Sequence, residues 1–237
     1  MNLYKTIANY YDQIFPLKQS KIDFFSDYSK NKKVLEIGCA TGNLCFELSK
    51  TAKQVVGIDL SSELISNAKE KHSSENLEFK LESLTNILSL NNCFDTIICV
   101  GNTLPHLSSI AEVENFIKNS FEILNKNGHL ILQFINFPKL MLNKHFDFPE
   151  LKNKSFEFKR SYKIINNSFI EFNTELYLAT ENKKFSDATK LLPLDSKKII
   201  KYAESIGFTV EDTFSNFNRD KFSHSSDAII IILKREI

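Results

Sequence analysis

Short apolar runs alternate with helix-patterned segments along the first 135 positions of the chain. Lys33 to Ile37 is one such run. It ends at glycines and is followed by "NLCFELSK", where Leu44, Phe46 and Leu48 suit a buried helix, so strand, tight turn and helix are predicted in that order. "QVVGIDLS", Gln54 to Ser61, predicts a second buried strand, with Ser61 or Ser62 capping a helix from about Glu63 to His72. Further strands are expected at Leu77 to Leu81, Phe94 to Val100 and Gly128 to Phe134, with a helix over Ala111 to Leu124. Strands and helices alternating at this spacing predict a parallel sheet covered on both faces.

The rhythm changes after Pro138. Phe156 to Leu178 shows period-two alternation around Asn166 and Asn167, which predicts an antiparallel hairpin inserted over one end of the sheet. "LDSKKIIKYAESIGF" then offers Asp195 as an N-cap, Ile199, Ala203 and Ile206 on one face, and Gly207 as the stop. Val210 to Phe217 and Ala228 to Lys234 complete the pattern as two more strands. No internal repeat or low-complexity linker interrupts it, so a single α/β domain is expected. It divides into an N-terminal segment 1–32, a core 33–135, an inserted antiparallel cap 145–192, and a C-terminal helix with two final strands, 193–237.

A chain of 237 residues buries a core large enough to need no covalent staple. Its 30 basic and 29 acidic residues leave a formal charge of +1, so no global field favours nucleic acid or an anionic membrane surface. Cys39, Cys45, Cys93 and Cys99 form no CxxC pair and no metal-ligand spacing with histidine, and are expected as reduced thiols in a cytoplasmic protein. His72, His129, His145 and His224 likewise form no spaced set with acids, so no metal is expected. The N-terminal "MNLYKTIANYYDQIF" lacks the basic region and apolar stretch of a signal peptide, and no run approaches the ~20 apolar residues of a membrane span.

The chemistry concentrates in "VLEIGCATGN", Val34 to Asn43. A glycine-rich turn between a first parallel strand and its helix lets a ligand approach the backbone. The spacing is Gly38-x-Ala40-x-Gly42, neither a dinucleotide GxGxxG nor a P-loop. Two acids accompany it. Glu36 ends the first strand, and Asp59 follows the second about 20 residues on, where a carboxylate accepts both hydroxyls of a ribose. An acid beside the loop repels a pyrophosphate but suits an ammonium or sulfonium. The implied ligand combines ribose, adenine and positive charge.

"VLEIGCATGN", "VVGIDLS", "FDTIICVGNTLPHL" and "LNKNGHLILQF", in this order and spacing, resemble the class I S-adenosylmethionine-dependent methyltransferases. The resemblance is specific for residues 33 to 135 and looser for the C-terminal helix and strands. It implies a Rossmann-like seven-stranded mixed sheet with S-adenosyl-L-methionine lying across the carboxyl ends of the first strands. Carried over by position, Gly38, Ala40 and Gly42 border the methionine part, Asp59 binds the ribose and Leu60 packs on adenine. At the end of the third strand, where many members place an acid against the adenine amino group, this chain has Ser83 preceded by Glu82. Whether Ser83, Glu82 or neither makes that contact stays open, while the backbone of Leu84 is a further contact to the ring.

"GNTLPHL", Gly101 to Leu107, is similar to a segment of the glycine and sarcosine N-methyltransferases that lies beside the methionine part and the acceptor. There Gly101 lets the chain approach the cofactor, Asn102 orients a polar acceptor, and His106 is a base or hydrogen-bond partner, unless Pro105 and His106 simply start the next helix. "YKTIANYYD" resembles a segment that folds over the cofactor as a helical lid in many relatives. Tyr4, Tyr10 and Tyr11 would then cover the sulfonium, or else serve only as packing residues at helical spacing. Plainer readings stand beside the rest as well. Gly38 and Gly42 suffice for a turn, Glu36 for backbone hydrogen bonds, Cys39 and Cys45 for small buried hydrophobes. The phenylalanines of the hairpin either line a pocket or fill their own core. The expected activity is direct in-line methyl transfer to nitrogen or oxygen of a small molecule, by a monomer or homodimer without nucleic acid or membrane. The alternatives are an RNA methyltransferase, a non-catalytic S-adenosylmethionine-binding regulator and, third, a nicotinamide oxidoreductase.

Overall fold

A computed structural model describes residues 7–142, 145–166 and 168–236. The strands β1 (Lys33–Ile37), β2 (Gln54–Asp59) and β4 (Phe94–Cys99) are almost wholly buried. Such continuous burial is what a parallel sheet covered on both faces requires. With β3 (Leu77–Leu81), β5 (Leu124–Ile135), β11 (Phe208–Phe214) and β12 (Ala228–Arg235) they form a seven-stranded sheet in the order β11-β12-β5-β4-β1-β2-β3. Only β12 breaks the parallel arrangement, running antiparallel to both β5 and β11. The expected seven-stranded mixed sheet is therefore present.

One face of this sheet carries Val34, Val55, Ile98, Ile131 and Ile232, packed with Phe24 and Phe25 of α2 (Gln19–Ser29), Leu44 and Leu48 of α3 (Asn43–Ser49), and Ile65 of α4 (Ser62–Lys71). The opposite face carries Leu35, Val56, Ile97, Leu130 and Ile231 against Phe116 and Ile117 of α5 (Ile110–Ile123) and Ile199 and Ala203 of α7 (Ser196–Ser205). Neighbouring residues of each strand thus serve different layers, which explains why these strands read as unbroken apolar runs.

The register Ile37↔Ile58 and Ile37↔Cys99 brings the carboxyl ends of β1, β2 and β4 level. The chain proceeds from β1 toward β3 on one side and from β4 toward β5 on the other, so the crevice of this open sheet lies between the loops after β1 and β4. β5 begins at Leu124, four residues before the expected Gly128, with a register irregularity against β4 between Phe94 and Thr96. The expected Val210 to Phe217 strand is shifted toward Phe208, and its last residues form a turn instead.

The expected hairpin exists as β8 (Phe156–Ile164) and β9 (Ile170–Leu178), but it is the centre of a larger sheet. After the short helix α6 (Phe137–Leu140), β6 (His145–Asp147) and β7 (Leu151–Lys152) both pair with β8, while β10 (Lys183–Leu191) pairs with β9. The insertion is thus a five-stranded antiparallel sheet, β10-β9-β8-β6 with β7 beside β8. β10 escaped the sequence pattern because it is an edge strand whose lysines face solvent and whose other face is only half covered.

The N-terminal segment 1–32 divides in two. Residues 7–15, including α1 (Tyr11–Ile14), bridge the two sheets: Ile7 and Ile14 pack with Phe156, Phe158, Leu176 and Leu178, and Ala8 packs with Ala40 and Leu64. By contrast, α2 is anchored in the main core, where Phe24 meets Phe214 and Phe217 edge-on at 5.8 and 5.5 Å.

Candidate active site

The loop after β1 is fastened from below. Gly38 and Cys39 both donate backbone N–H bonds to the Ile58 carbonyl, at 2.8 and 3.0 Å. Gly42 begins α3 with φ of +76°, and a Cβ there would come within 2.4 Å of the Phe79 ring, so both conformation and space demand glycine. At Gly38 a Cβ would meet the Thr103 hydroxyl at 2.6 Å, which brings the loops after β1 and β4 into contact. Ala40, the irregular member of the motif, adopts a left-handed conformation, φ +49°. Its N–H donates to Asp59 Oδ2 at 2.9 Å, and the Ser61 N–H donates to Oδ1 at the same distance.

Asp59 is therefore oriented by two backbone donors. Burial pushes its pKa up, and the N–H bonds of Ser61 and Ala40 oppose that shift. Each carboxylate oxygen keeps a lone pair beyond those bonds, which suits a vicinal diol. Glu36 is sealed beneath the loop at 3 % exposure, and accepts a bond from the Cys45 thiol to Oε2 at 2.9 Å. Burial raises the Glu36 pKa and also pushes the Cys45 thiol well up. Cys39, Cys45 and Cys99 are buried free thiols, and Cys93 is an exposed one.

Beyond Asp59 the surface is unexpectedly apolar. Leu60 is 71 % exposed, and Leu81, at the end of the adjoining strand, is 57 % exposed. Both leucines leave apolar surface uncovered where β2 and β3 end. The sequence singled out Leu60 as a candidate contact and gave no sign of Leu81. Ser83 caps the short helical turn Leu84–Leu90, accepting from the Thr85 N–H at 3.1 Å. Glu82 accepts from the Ser83 N–H at 2.8 Å, from Asn86 Nδ2 at 3.2 Å and from Ser89 Oγ at 3.0 Å, and the first of these chiefly lowers its pKa. Both side chains thus hold their own turn. The Leu84 side chain is buried in the core, leaving its backbone as the part available to a ligand.

The loop after β4 forms the other wall. Gly101 has φ of +76°, donates its N–H to Gln133 Oε1 at 2.7 Å, and would place a Cβ in open space. Asn102, with φ of +64°, joins three elements: its Oδ1 accepts from the Ile135 N–H at 3.3 Å, and its Nδ2 donates to the Tyr162 hydroxyl of β8 at 3.4 Å. His106 ends a separate turn, Leu104–His106, rather than starting α5, and the Pro105 carbonyl accepts from the Leu192 N–H at 2.8 Å just past β10. Solvent reaches the His106 ring, yet surrounding protein lowers its pKa by desolvation, favouring the neutral imidazole. Gln133 gave no signal in the sequence because it reaches the loop only across the sheet.

Of the lid tyrosines, Tyr11 packs with the Ala8, Ala40 and Leu64 group, while Tyr10 turns toward Phe156 of the second sheet. Tyr4 lies outside the described residues. The segment is clamped by a residue the sequence reading did not single out. Asp12 accepts from the Thr41 hydroxyl within the glycine loop and pairs with Lys71 of α4 at 2.7 Å. Burial would raise the Asp12 pKa, but the bonds from Lys71 and Thr41 outweigh it and lower the value. Among the described residues, no cluster of three His, Cys, Asp or Glu side chains is arranged to hold a metal. No helix among them is long and apolar enough to cross a membrane.

A loop with left-handed residues after β1, an acid after β2 and an open glycine after β4, on a sheet of this order, define the class I S-adenosylmethionine-dependent methyltransferase fold. Residues 28–201 match the family model described as a methyltransferase domain, and the chain belongs to that family. A crystal structure of an S-adenosylmethionine-dependent methyltransferase from Clostridium acetobutylicum superposes with a TM-score of 0.83 at 20% identity, covering 98% of this chain and 99% of that one. CalS10, a Micromonospora echinaspora amino pentose methyltransferase whose structure contains bound S-adenosylmethionine, gives a TM-score of 0.66 at 14% identity over 98% and 89%. In sequence, the Bacillus subtilis protein YqeM, which carries a methyltransferase name, is 26% identical over 133 residues. That match spans 54% of this chain and 54% of YqeM, about half of each.

Proposed function

We propose that this methyltransferase binds S-adenosylmethionine between the loops after β1 and β4 and methylates nitrogen or oxygen of a small molecule held under the second sheet. The observation that carries this reading is that the second sheet is fastened to the loop after β4 next to the open space at Gly101: Asn102 bonds Tyr162 of β8 and Leu192 is tied to Pro105, while Ala8 packs on Ala40. A sheet fastened to this loop favours a compact acceptor. The formal charge of +1 gives no global field toward RNA phosphates.

The residues present fit the cofactor. Asp59 presents oriented oxygens to a diol, Leu60 and Leu81 offer uncovered apolar surface to a base, and the open space at Gly101 allows backbone contact. When bound, S-adenosylmethionine supplies an electrophilic methyl on a positively charged sulfur. The protein's task is then to orient the acceptor in line and exclude water, a contribution of about 7–11 kcal/mol in well-aligned reactions. Asn102 is positioned to hold the acceptor's polar group, and the neutral His106 imidazole is suited to take a proton from it. Reduced buried thiols favour a cytoplasmic setting.

The test incubates the protein with trideuteromethyl-labelled S-adenosylmethionine and a small-molecule cell extract, followed by mass spectrometry. A labelled product of low mass is expected. Donor binding without any product would instead support the non-catalytic reading, and label incorporated only into added RNA would move the acceptor to nucleic acid.

A further inference from the structure

Arg160 stands out on the inner face of the second sheet. Along β8 the side chains of Phe156, Phe158, Arg160 and Tyr162 alternate onto one face. The first two pack with residues 7–15, and Tyr162 joins the main-domain core and meets Asn102. Arg160 therefore sits on β8 between residues that pack on the N-terminal segment and the tyrosine that meets the loop after β4. Its guanidinium carbon lies 5.5 Å from the centroid of the Phe15 ring, 4.8 Å from that of Phe148 and 5.7 Å from that of Phe158. Aromatic faces stabilise the cation but accept no directed hydrogen bond comparable to a carboxylate's.

Two observations make this more than packing. Arg160 Nε is buried without a hydrogen-bond partner among the described residues. Burial disfavours its charge, and among the described residues no ion pair joins it to a carboxylate. A half-buried guanidinium left in this state is costly unless something supplies oxygen acceptors. The nearest acid on the same cross-strand row is Asp187, two strands away through Thr174, and its Oδ2 accepts from Thr189 Oγ1 at 3.4 Å. With one cation here and one acid farther along the row, a monoanion is favoured over a dianion.

Building on the small-molecule reading, we propose that Arg160 anchors the methyl acceptor by a carboxylate, received by its guanidinium beside the rings of Phe15, Phe148 and Phe158. Phe15 contributes only while residues 7–15 are seated, so the anchor is completed by the same segment that packs on the cofactor loop.

The experiment uses the full chain and three portions of one small-molecule extract: untreated, with carboxyl groups converted to methylamides by carbodiimide and methylamine, and treated with phosphatase. Each is incubated with trideuteromethyl-labelled S-adenosylmethionine. The labelled product is expected to carry a free carboxylate, to vanish after amidation and to survive phosphatase. In a dilution series, R160M should raise the apparent KM about tenfold or more, with a smaller change in kcat, and R160K should fall between. Affinity for S-adenosylhomocysteine should stay within about twofold, and the Tm of R160M should not fall, because an unpaired half-buried charge has been removed. A product lacking a carboxylate, or lost on phosphatase treatment, overturns the proposal. So does R160M with an unchanged KM, and a lowered Tm alongside it would mark Arg160 as a packing residue. No labelled product in any portion, with donor binding intact, would defeat the small-molecule reading itself and the anchor with it.

Discussion

The two sheets solve opposite problems. The parallel sheet is buried on both faces and presents its ligand edge chiefly through backbone: N–H groups of Ala40 and Ser61 orient Asp59, and Gly101 opens a space. The second sheet is wetted on one side and presents side chains from the other, with Arg160, Tyr162 and the phenylalanines projecting from alternate positions of β8. A backbone-built site tolerates little change, because moving one peptide displaces the whole loop. A side-chain site changes its ligand by substitution without disturbing the ladder beneath it. On the proposed function, cofactor seating and acceptor choice would be divided between two structures joined through Asn102, Leu192 and residues 7–15.

Substitutions can break this division, beginning with the most damaging. Gly42→Val forces a β-branched residue to positive φ and into Phe79, and should cost about 3 kcal/mol or more in denaturant unfolding. A change below about 1 kcal/mol would show that the loop is softer than its contacts imply. Asp59→Ala should weaken S-adenosylhomocysteine binding about a hundredfold by calorimetry, since two charge-assisted bonds are lost. Unaltered affinity would remove the ribose assignment. Both changes fall on the backbone-built edge.

Effects at the junction should be smaller. His106→Gln should slow turnover about tenfold or more if the acceptor carries a proton, with donor affinity unchanged. Because desolvation lowers the His106 pKa in the fold, protonation opposes folding. Its stability term is fully present above the unfolded value of about 6.5 and is lost as pH falls from there through the lower folded value. The wild-type rate should fall as pH drops through the lowered folded value, and a flat pH profile would exclude His106 as base. Asp12→Asn should cost no more than about 1 kcal/mol, its ion pair being partly exposed. Since the folded Asp12 pKa is lowered, its contribution is present above the unfolded value near 3.9 and disappears as pH falls through the folded value. The gap between wild type and D12N in acid unfolding curves should close over that window.

What could be foreseen divides along the same line as the two sheets. Buried parallel strands declare themselves as apolar runs, and the turn after β1 declares itself by glycine. β10 did not, because Lys183, Lys184 and Lys190 lie on an exposed edge where no core selects for apolar residues. Asp12 was invisible as a clamp, since its partners Thr41 and Lys71 lie 29 and 59 residues away and nothing local marks them. Leu81 looked like any strand residue until the fold left it uncovered beside Leu60.

The sequence by itself determined the methyltransferase core, its succession of strands and helices and the glycine turn with Gly38 and Gly42 followed by Asp59, because backbone conformation and burial on both faces restrict residue type locally. Only the tertiary structure decided that Glu36 is sealed under the loop, that Asn102 reaches Tyr162, and that Arg160 has no acid partner among the described residues. Those outcomes depend on which side chains from distant segments meet and how much water is excluded where they do, and neither is a property of a residue's neighbours in the chain.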